Sequence, residues 1–447
     1  MTKPKLILPA LLSIWAILPC QSQRSWTLEE CIAYAMDNNI QLKKGFLSSE
    51  QASVNIKEMK AGLLPSLSAN TNHNVSYRPF NEQMVNITNG TMTTSHAETN
   101  YNGSYGLNAS WTVWNGWRNR DNVQKSEYAL EITNLQNEET ANSIQEQIAQ
   151  LYVQILYESE AVKVSQEIVK ASEIQRNRAA EMVKVGSLAR VDLVQLEAQL
   201  TQDQYSLVSA QSQLQKYELQ LKQLLEIHDD QPFSVVTPQI DDSHVMTLLP
   251  SMNDVYQAAV ASRPEIARID KSIESAQLDI KMAKNAYLPT LSLNAGIGTS
   301  SSSGVHRAWP RQFKSNFNNT LGMTISVPIF DNRSIKSNVE RSRIALQDTE
   351  LDLVDKKKQL YSDIENCWLN ARTAQQQYLA ANKNVESMKE SYDLVSEQFR
   401  LGLKNIVELT TGKNNLLSAQ QQRLQAKYTA LLNLALLRFY QGEDIHL

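Results

Sequence analysis

The chain has 447 residues, a hydrophobic fraction of 42% and a formal charge of -4, with 43 basic residues well mixed among 47 acidic ones. Such a balance forms no basic patch, so nucleic acid is excluded as a natural partner. Met1 to Ser22 reads as a secretory signal peptide, with Lys3 and Lys5 at its start, an apolar core from Leu6 to Leu18, and Cys20-Gln21-Ser22 as a small-x-small site. Ile17-Leu18-Pro19-Cys20 also resembles a lipoprotein cleavage box, but Pro19 stands where a small residue is wanted, and plain cleavage is expected. No later window supplies the roughly 20 consecutive apolar residues of a membrane helix, so a membrane has to be entered by strands. The remaining cysteines, Cys31 and Cys367, read as isolated buried thiols rather than a disulfide framework.

Thr27-Leu28-Glu29-Glu30 has the form of a capping box opening a short helix to about Met36. Asp37-Asn38-Asn39 breaks it, and a second helix runs from about Gln41 to Lys60, ended by Gly62 and Pro65. There the period changes to two: Leu67, Ala69, Thr71, His73, Val75 and Tyr77 alternate with small polar residues, as do Tyr101, Gly103, Tyr105, Leu107, Ala109, Trp111 and Val113. Both are strands with one apolar and one polar face, expected over about 65-77 and 101-114. Between them, Arg78 to Thr99 reads as a polar loop, in which the sequon Asn86-Ile87-Thr88 carries little weight. From Gly116 to Pro232 there is no proline, and Gly186 is the only glycine between them, so 118-226 reads as two long helices folded at one turn.

After a connecting segment at 229-250 the pattern begins again. Ser251-Met252-Asn253-Asp254 echoes the capping box, Ser262-Arg263-Pro264-Glu265 replaces the break, and Leu288-Pro289-Thr290-Leu291 matches Leu64-Pro65-Ser66-Leu67. Strands are expected at about 289-298 and 320-330, and a hairpin at 334-441 folded at Gly402. The chain is thus a signal peptide (1-22), a first repeat (23-228), a linker (229-250) and a second repeat (251-447), each repeat giving two strands and a long helical hairpin.

In the second hairpin Leu360, Ile364, Cys367, Ala371, Ala374, Tyr378, Ala381, Val385, Met388, Tyr392, Val395 and Phe399 are spaced alternately four and three, a coiled-coil seam. Ile144, Ile148, Leu151, Ile155, Val162, Val169 and Val183 keep the same register in the first, and Leu193, Leu200, Leu207, Leu214 and Leu221 line its returning arm. Four strands with a lipid-suited face match the signature of an outer-membrane barrel, yet four leave two open edges that lipid does not tolerate, so the barrel has to be shared between copies. By counting alone, two or three copies suffice.

The tandem module, the Leu-Pro-Ser/Thr-Leu entries, Val327-Pro328-Ile329-Phe330-Asp331 and the repeated tips together resemble the TolC-type outer-membrane efflux proteins over essentially all of the chain after the signal. The first repeat departs from the pattern with Thr112-Val113-Trp114-Asn115. The resemblance implies a mixed α and β membrane protein: a homotrimer whose twelve-stranded β-barrel in the outer membrane of a Gram-negative bacterium continues as an α-helical barrel across the periplasm. It also implies partners, a periplasmic adaptor protein at the tips and an inner-membrane transporter behind it, besides outer-membrane lipid.

In that family a tyrosine, a basic residue and carboxylates close the periplasmic entrance. The matching residues are Phe399, Lys404, Glu408 and Asp192, with Thr411 where a further acid would stand. Phe399 lacks the tyrosine's hydroxyl. The expected gate is a single ring of Glu408 with Lys404 paired to Asp192; against it stands the plainer reading that Asp192 and Glu408 only favour positive helix N-termini. Val185, Gly186, Ser187, Leu188, Leu401, Gly402 and Leu403 are the expected adaptor-docking surface.

The six histidines are scattered and no phosphate loop or nucleophile elbow is present, so no enzyme, cofactor or metal is expected. The leading reading is a passive exit duct of a tripartite efflux pump. The alternatives are the duct of a type I protein secretion system and a surface coiled-coil or adhesive protein without transport. Arg307, Arg311 and Lys314 in the second strand loop suggest anionic lipid headgroups, against the default of a solvated loop.

Overall fold

The computed structural model describes residues 25-87, 90-228, 233-238, 241-303 and 307-447; the expected signal peptide, Cys20 and Thr88 of the sequon lie outside them. Strand β1 (Ser25–Trp26) leads into helix α1 (Leu28–Asn38) through the expected capping box, Thr27 accepting from the Glu30 amide and Glu30 from the Thr27 amide. Asn39 then caps α2 (Ile40–Ala61), its Oδ1 accepting the Gln41 amide at 2.8 Å. Strands β2 (Ser66–Ile87) and β3 (Gly90–Trp114) follow, then α3 (Arg118–Lys184) and α4 (Arg190–Leu224). The linker contributes β4 (Ser234–Val235), which pairs in parallel with β1, and α5 (Asp242–Val245). The second repeat runs α6 (Met252–Ser262), α7 (Pro264–Asn285), β5 (Thr290–Ser302), α8 (Trp309–Ser315), β6 (Asn318–Ser326), α9 (Ser334–Arg400) and α10 (Ile406–Tyr440).

The two hairpins are copies in length: α3 and α9 each have 67 residues, α4 and α10 each have 35. At 1.5 Å per residue the outgoing arms reach roughly 100 Å. The joint between strand and helix is repeated as well. Gly116 and Trp117 both have φ of 69°, and Asn332 and Arg333 have φ of 52° and 66°. Just before each joint a short polar side chain accepts the amide four residues on, Asn115 from Asn119 at 3.1 Å and Asp331 from Ile335 at 2.6 Å. The departure at Asn115 is therefore a chemical equivalent of Asp331, an amide oxygen in place of a carboxylate.

The strands form one antiparallel sheet in the order β2-β3-β5-β6, with Leu67, Leu107, Ile297, Leu321, Met323 and Ile325 on one exposed face and Ser and Asn on the other. Two expectations are corrected here. The segment read as a polar loop from Arg78 to Thr99 is a continuation of the β2-β3 ladder, out to Ile87 paired with Gly90 and with one irregularity between Arg78 and Asn81. Ser251 does not repeat the capping box, since its side chain makes no cap hydrogen bond to α6.

The expected seam is the core. Leu360, Ile364, Cys367, Ala371, Ala374, Tyr378, Ala381 and Val385 are all buried, and so are Ile144, Ile148, Ile155, Val162 and Val169. Both cysteines are free and buried, and burial pushes each thiol up to about 12. The repeats are also bound to each other by ions: Arg263, Arg268, Lys271, Lys125 and Lys281 pair respectively with Glu146, Glu139, Glu131, Asp279 and Asp121 along α3 and α7. Arg263, buried, also lies over the rings of Phe439 and Tyr440 at 4.6 and 4.4 Å.

Candidate functional site

Both long turns close in the same way. Gly186 and Gly402 take φ of 75° and 74°; the amide of the following residue reaches back five positions, Ser187 to the Met182 carbonyl and Leu403 to that of Gln398, both at 2.9 Å. The glycine amides bond Val183 and Phe399. This pair of bonds is a Schellman motif, whose left-handed residue suits glycine because it has no Cβ.

The two turns share one small core. Ala179, Leu196, Ile406 and Leu409 are buried together, with Leu188, Leu193, Tyr392, Val395 and Phe399 packed around them. First and second hairpins therefore end as one body, stitched by a 2.6 Å hydrogen bond from Gln175 to the Tyr392 hydroxyl. This corrects the docking set at one position: Leu188 turns inward. Val185, Ser187, Leu401 and Leu403 remain exposed, joined by Val191 and Val407, which the sequence reading passed over. Phe399 likewise packs in the tip core.

The charged residues differ from expectation. Lys404 pairs with Glu408, one turn on in the same helix, at 2.5 Å and not with Asp192. The reason is local: Asn405 caps α10, its Oδ1 accepting the Glu408 amide while Glu408 Oε2 accepts the Asn405 amide. A carboxylate already fixed by a capping box lies in reach of Lys404 without a second helix having to supply a partner. The Lys404 hydrogen bond, and then the Asn405 amide, hold the Glu408 carboxyl below its ordinary range. Asp192 is a half-buried acid in the first turn of α4 whose carboxylate has no hydrogen-bond or ion-pair partner among the described residues.

Roughly 15-20 Å from the turns, by helix rise, lies a polar cluster that sequence reading missed. Lys413 on α10 and Asp203 on α4 form a buried ion pair at 2.5 Å. Ser172 on α3 donates to Asp203 at 2.6 Å and accepts from Lys413 at 3.0 Å, and Gln199 donates to the other carboxylate oxygen at 2.9 Å. Three helices from both repeats thus meet at one charge pair. Its signal was present in the sequence as charges at seam positions, Asp203 seven residues after Leu196 and Lys413 seven after Ile406.

No metal-binding group of His, Cys, Asp or Glu occurs among the described residues, and no helix there is long and apolar enough to cross a membrane. An amphipathic sheet at one end of a paired helical shaft, with the two glycine turns packed together at the other, defines a channel-forming protein of the outer membrane. The outer membrane efflux protein model matches residues 32-226 and 255-443, one match per repeat, and the chain belongs to that family. The toxin and drug export protein A of Aggregatibacter actinomycetemcomitans is 24% identical over 411 residues, covering 90% of this chain and 83% of that protein. The outer membrane efflux protein BepC of Brucella suis is 22% identical over 431 residues, 96% of this chain and 88% of its own. Among solved structures, the CusC channel superposes with a TM-score of 0.77 at 17% identity, covering 99% of this chain and 98% of CusC. The protein is an outer-membrane efflux channel that extends into the periplasm and has no enzymatic activity; channels of this family are homotrimers that work in tripartite pumps.

Proposed function

We propose that three copies of this chain form the passive exit duct of a tripartite efflux pump, with the tips as a periplasmic mouth that docks an adaptor protein linked to an inner-membrane transporter. The sheet supports closure between copies, and the number three follows the homotrimers of the family. Its free edges are β2, running outward, and β6, running inward, so the next copy continues the antiparallel order and three four-stranded sheets reach the size of known barrels.

The observation that carries the docking is the set of apolar side chains left bare around a well-packed tip: Val185 is 79% exposed, Leu403 72% and Val191 67%. Side chains of this kind beside a buried core of their own are what a partner surface covers. Above them Glu408 forms the acidic ring of the mouth, with Lys404 as its counter-ion within the same chain, and Asp192 is the acid that the first repeat contributes to the tip.

A photo-crosslinker at Ser187 or Leu403 in the intact cell is expected to capture a periplasmic adaptor, and one at the inward-facing Leu188 to capture none. Equal capture at all three positions, or at none, removes the docking reading.

A further inference from the structure

We propose that α8 and the residues flanking it form a binding site for a phosphorylated, acylated lipid of the outer leaflet, resting on the outer-membrane placement of the sheet. The loop between β5 and β6 is fastened down. Trp309 stacks on Tyr101 with ring centroids 5.5 Å apart, and Phe313 lies 5.3 Å from Tyr105. His73 supports both tyrosines, its Nδ1 within 2.6 Å of the Tyr101 hydroxyl. Gln312 is 1% exposed; it accepts the Ser302 amide and donates to the Arg307 carbonyl, both at 2.8 Å. Thr299 donates to the Phe313 carbonyl at 2.7 Å, and Asn316 to that of Ser300 at 2.8 Å.

Tyr101 and Tyr105 alternate in register with Leu107, so this strap lies on the apolar face of the sheet, the one turned to lipid. Along β5, Thr299 is eight residues beyond Leu291, roughly 27 Å of strand. With the usual barrel tilt, that sets the strap at the outer margin of an apolar band about 25 Å tall. Trp309 and Phe317, both partly bare, are side chains of the interfacial kind.

Directly beneath the strap is an open groove of about 420 Å³, lined by Ala69, Thr71, Leu107, Ile297 and Phe317. It continues the lipid-facing surface and falls in the size range of small-ligand sites, which suits a hydrocarbon chain. Arg307, Arg311 and Lys314 are exposed above it. No carboxylate occurs in sequence between Asp279 and Asp331, and none on the strands across from the strap, from Ser66 to Phe80 and from Thr99 to Trp114. The closest acid on β3, Glu98, sits directly across from Arg78 on β2. Three cations with no acidic partner among the described residues, over an apolar groove at the membrane margin, recognise a phosphate and an acyl chain carried on one molecule.

The test is native mass spectrometry of the full-length assembly in phosphatidylcholine nanodiscs titrated with bis-phosphorylated lipid A, with single-channel conductance recorded on the same preparations. Wild type is expected to retain lipid A. Replacing Arg307, Arg311 and Lys314 with Gln should weaken retention by about fivefold per charge, on the order of 100-fold for all three, with conductance unchanged. Phe317→Ala should weaken retention of lipid A, and inorganic phosphate should fail to displace it. Retention unaltered by the triple substitution, or displacement by inorganic phosphate alone, overturns the proposal. Loss of retention and of conductance together in the wild-type protein would instead overturn the outer-membrane reading beneath it.

Discussion

The Lys413-Asp203 pair gives the account its most exposed quantitative consequence. Replacing Lys413 with Met keeps most of the volume and removes the charge, leaving the Asp203 carboxylate 7% exposed with only Ser172 and Gln199 as donors. An unpaired buried charge of this kind costs about 3-5 kcal/mol, whereas removing both partners in favour of apolar side chains is often neutral or stabilising. Lys413→Met alone should therefore lower the local opening free energy of α4 and α10 near the cluster by about 3-5 kcal/mol. Lys413→Met with Asp203→Leu should recover most of it. Native-state hydrogen exchange across 196-210 and 406-420 reads both values, because these amides open without the whole assembly unfolding. Because the cluster joins the two repeats, the single variant should also raise the frequency of channel opening. Protection in Lys413→Met within about 1 kcal/mol of wild type, or a double variant as weak as the single, refutes the reasoning.

Neutralising Lys404 and Glu408 together should raise single-channel conductance, since both the ring and its counter-ion are lost; unchanged conductance in planar bilayers removes Glu408 from the gate. The Glu408 carboxyl lies below its ordinary range in the folded tip, so its stabilising contribution is complete above the usual carboxylate value near 4.5 and is lost as the pH falls through the folded value. A spin label at the exposed Val407 should accordingly stay ordered down to about pH 5 and loosen below it, and Glu408→Gln should flatten that response. Cys31 and Cys367 should resist maleimide at pH 8 in the native protein and react on unfolding, because their thiolates are suppressed by burial; rapid native labelling would contradict the packing around them. At Gly116 an added Cβ would lie 2.6 Å from the Asn285 carbonyl oxygen, whereas at Gly186 it would meet open space. Both variants to Ala carry the left-handed penalty of about 1-2 kcal/mol, so Gly116→Ala should lower the melting temperature of the assembly distinctly more.

The features legible in the sequence were those in which one physical demand repeats along the chain. The buried face of α9 could be read residue by residue from Leu360 to Val385, since every position there answers to the same neighbouring helix. The membrane strands were legible because lipid imposes a period of two; beyond about Tyr77 the alternation in the sequence is lost, and the continuing ladder reads as loop. Asn115 read as a departure only because its side-chain acceptor role is shared with Asp331 through different chemistry. The Lys404 expectation failed where local spacing supplied a carboxylate at i+4, already announced by Asn405-x-x-Glu408 as a capping box. The Lys413-Asp203 pair spans 210 residues, and the two residues are not equivalents under the repeat, so periodicity could mark each as out of place but not join them.

The central claim, that this chain builds a conducting duct across the outer membrane whose mouth is formed by the two tips, is tested most directly by planar-bilayer recording of the purified assembly. Discrete single-channel events are predicted, and they should enlarge when Lys404 and Glu408 at the periplasmic mouth are both replaced by neutral residues. A wild-type assembly and a tip variant that both leave the bilayer silent would contradict it.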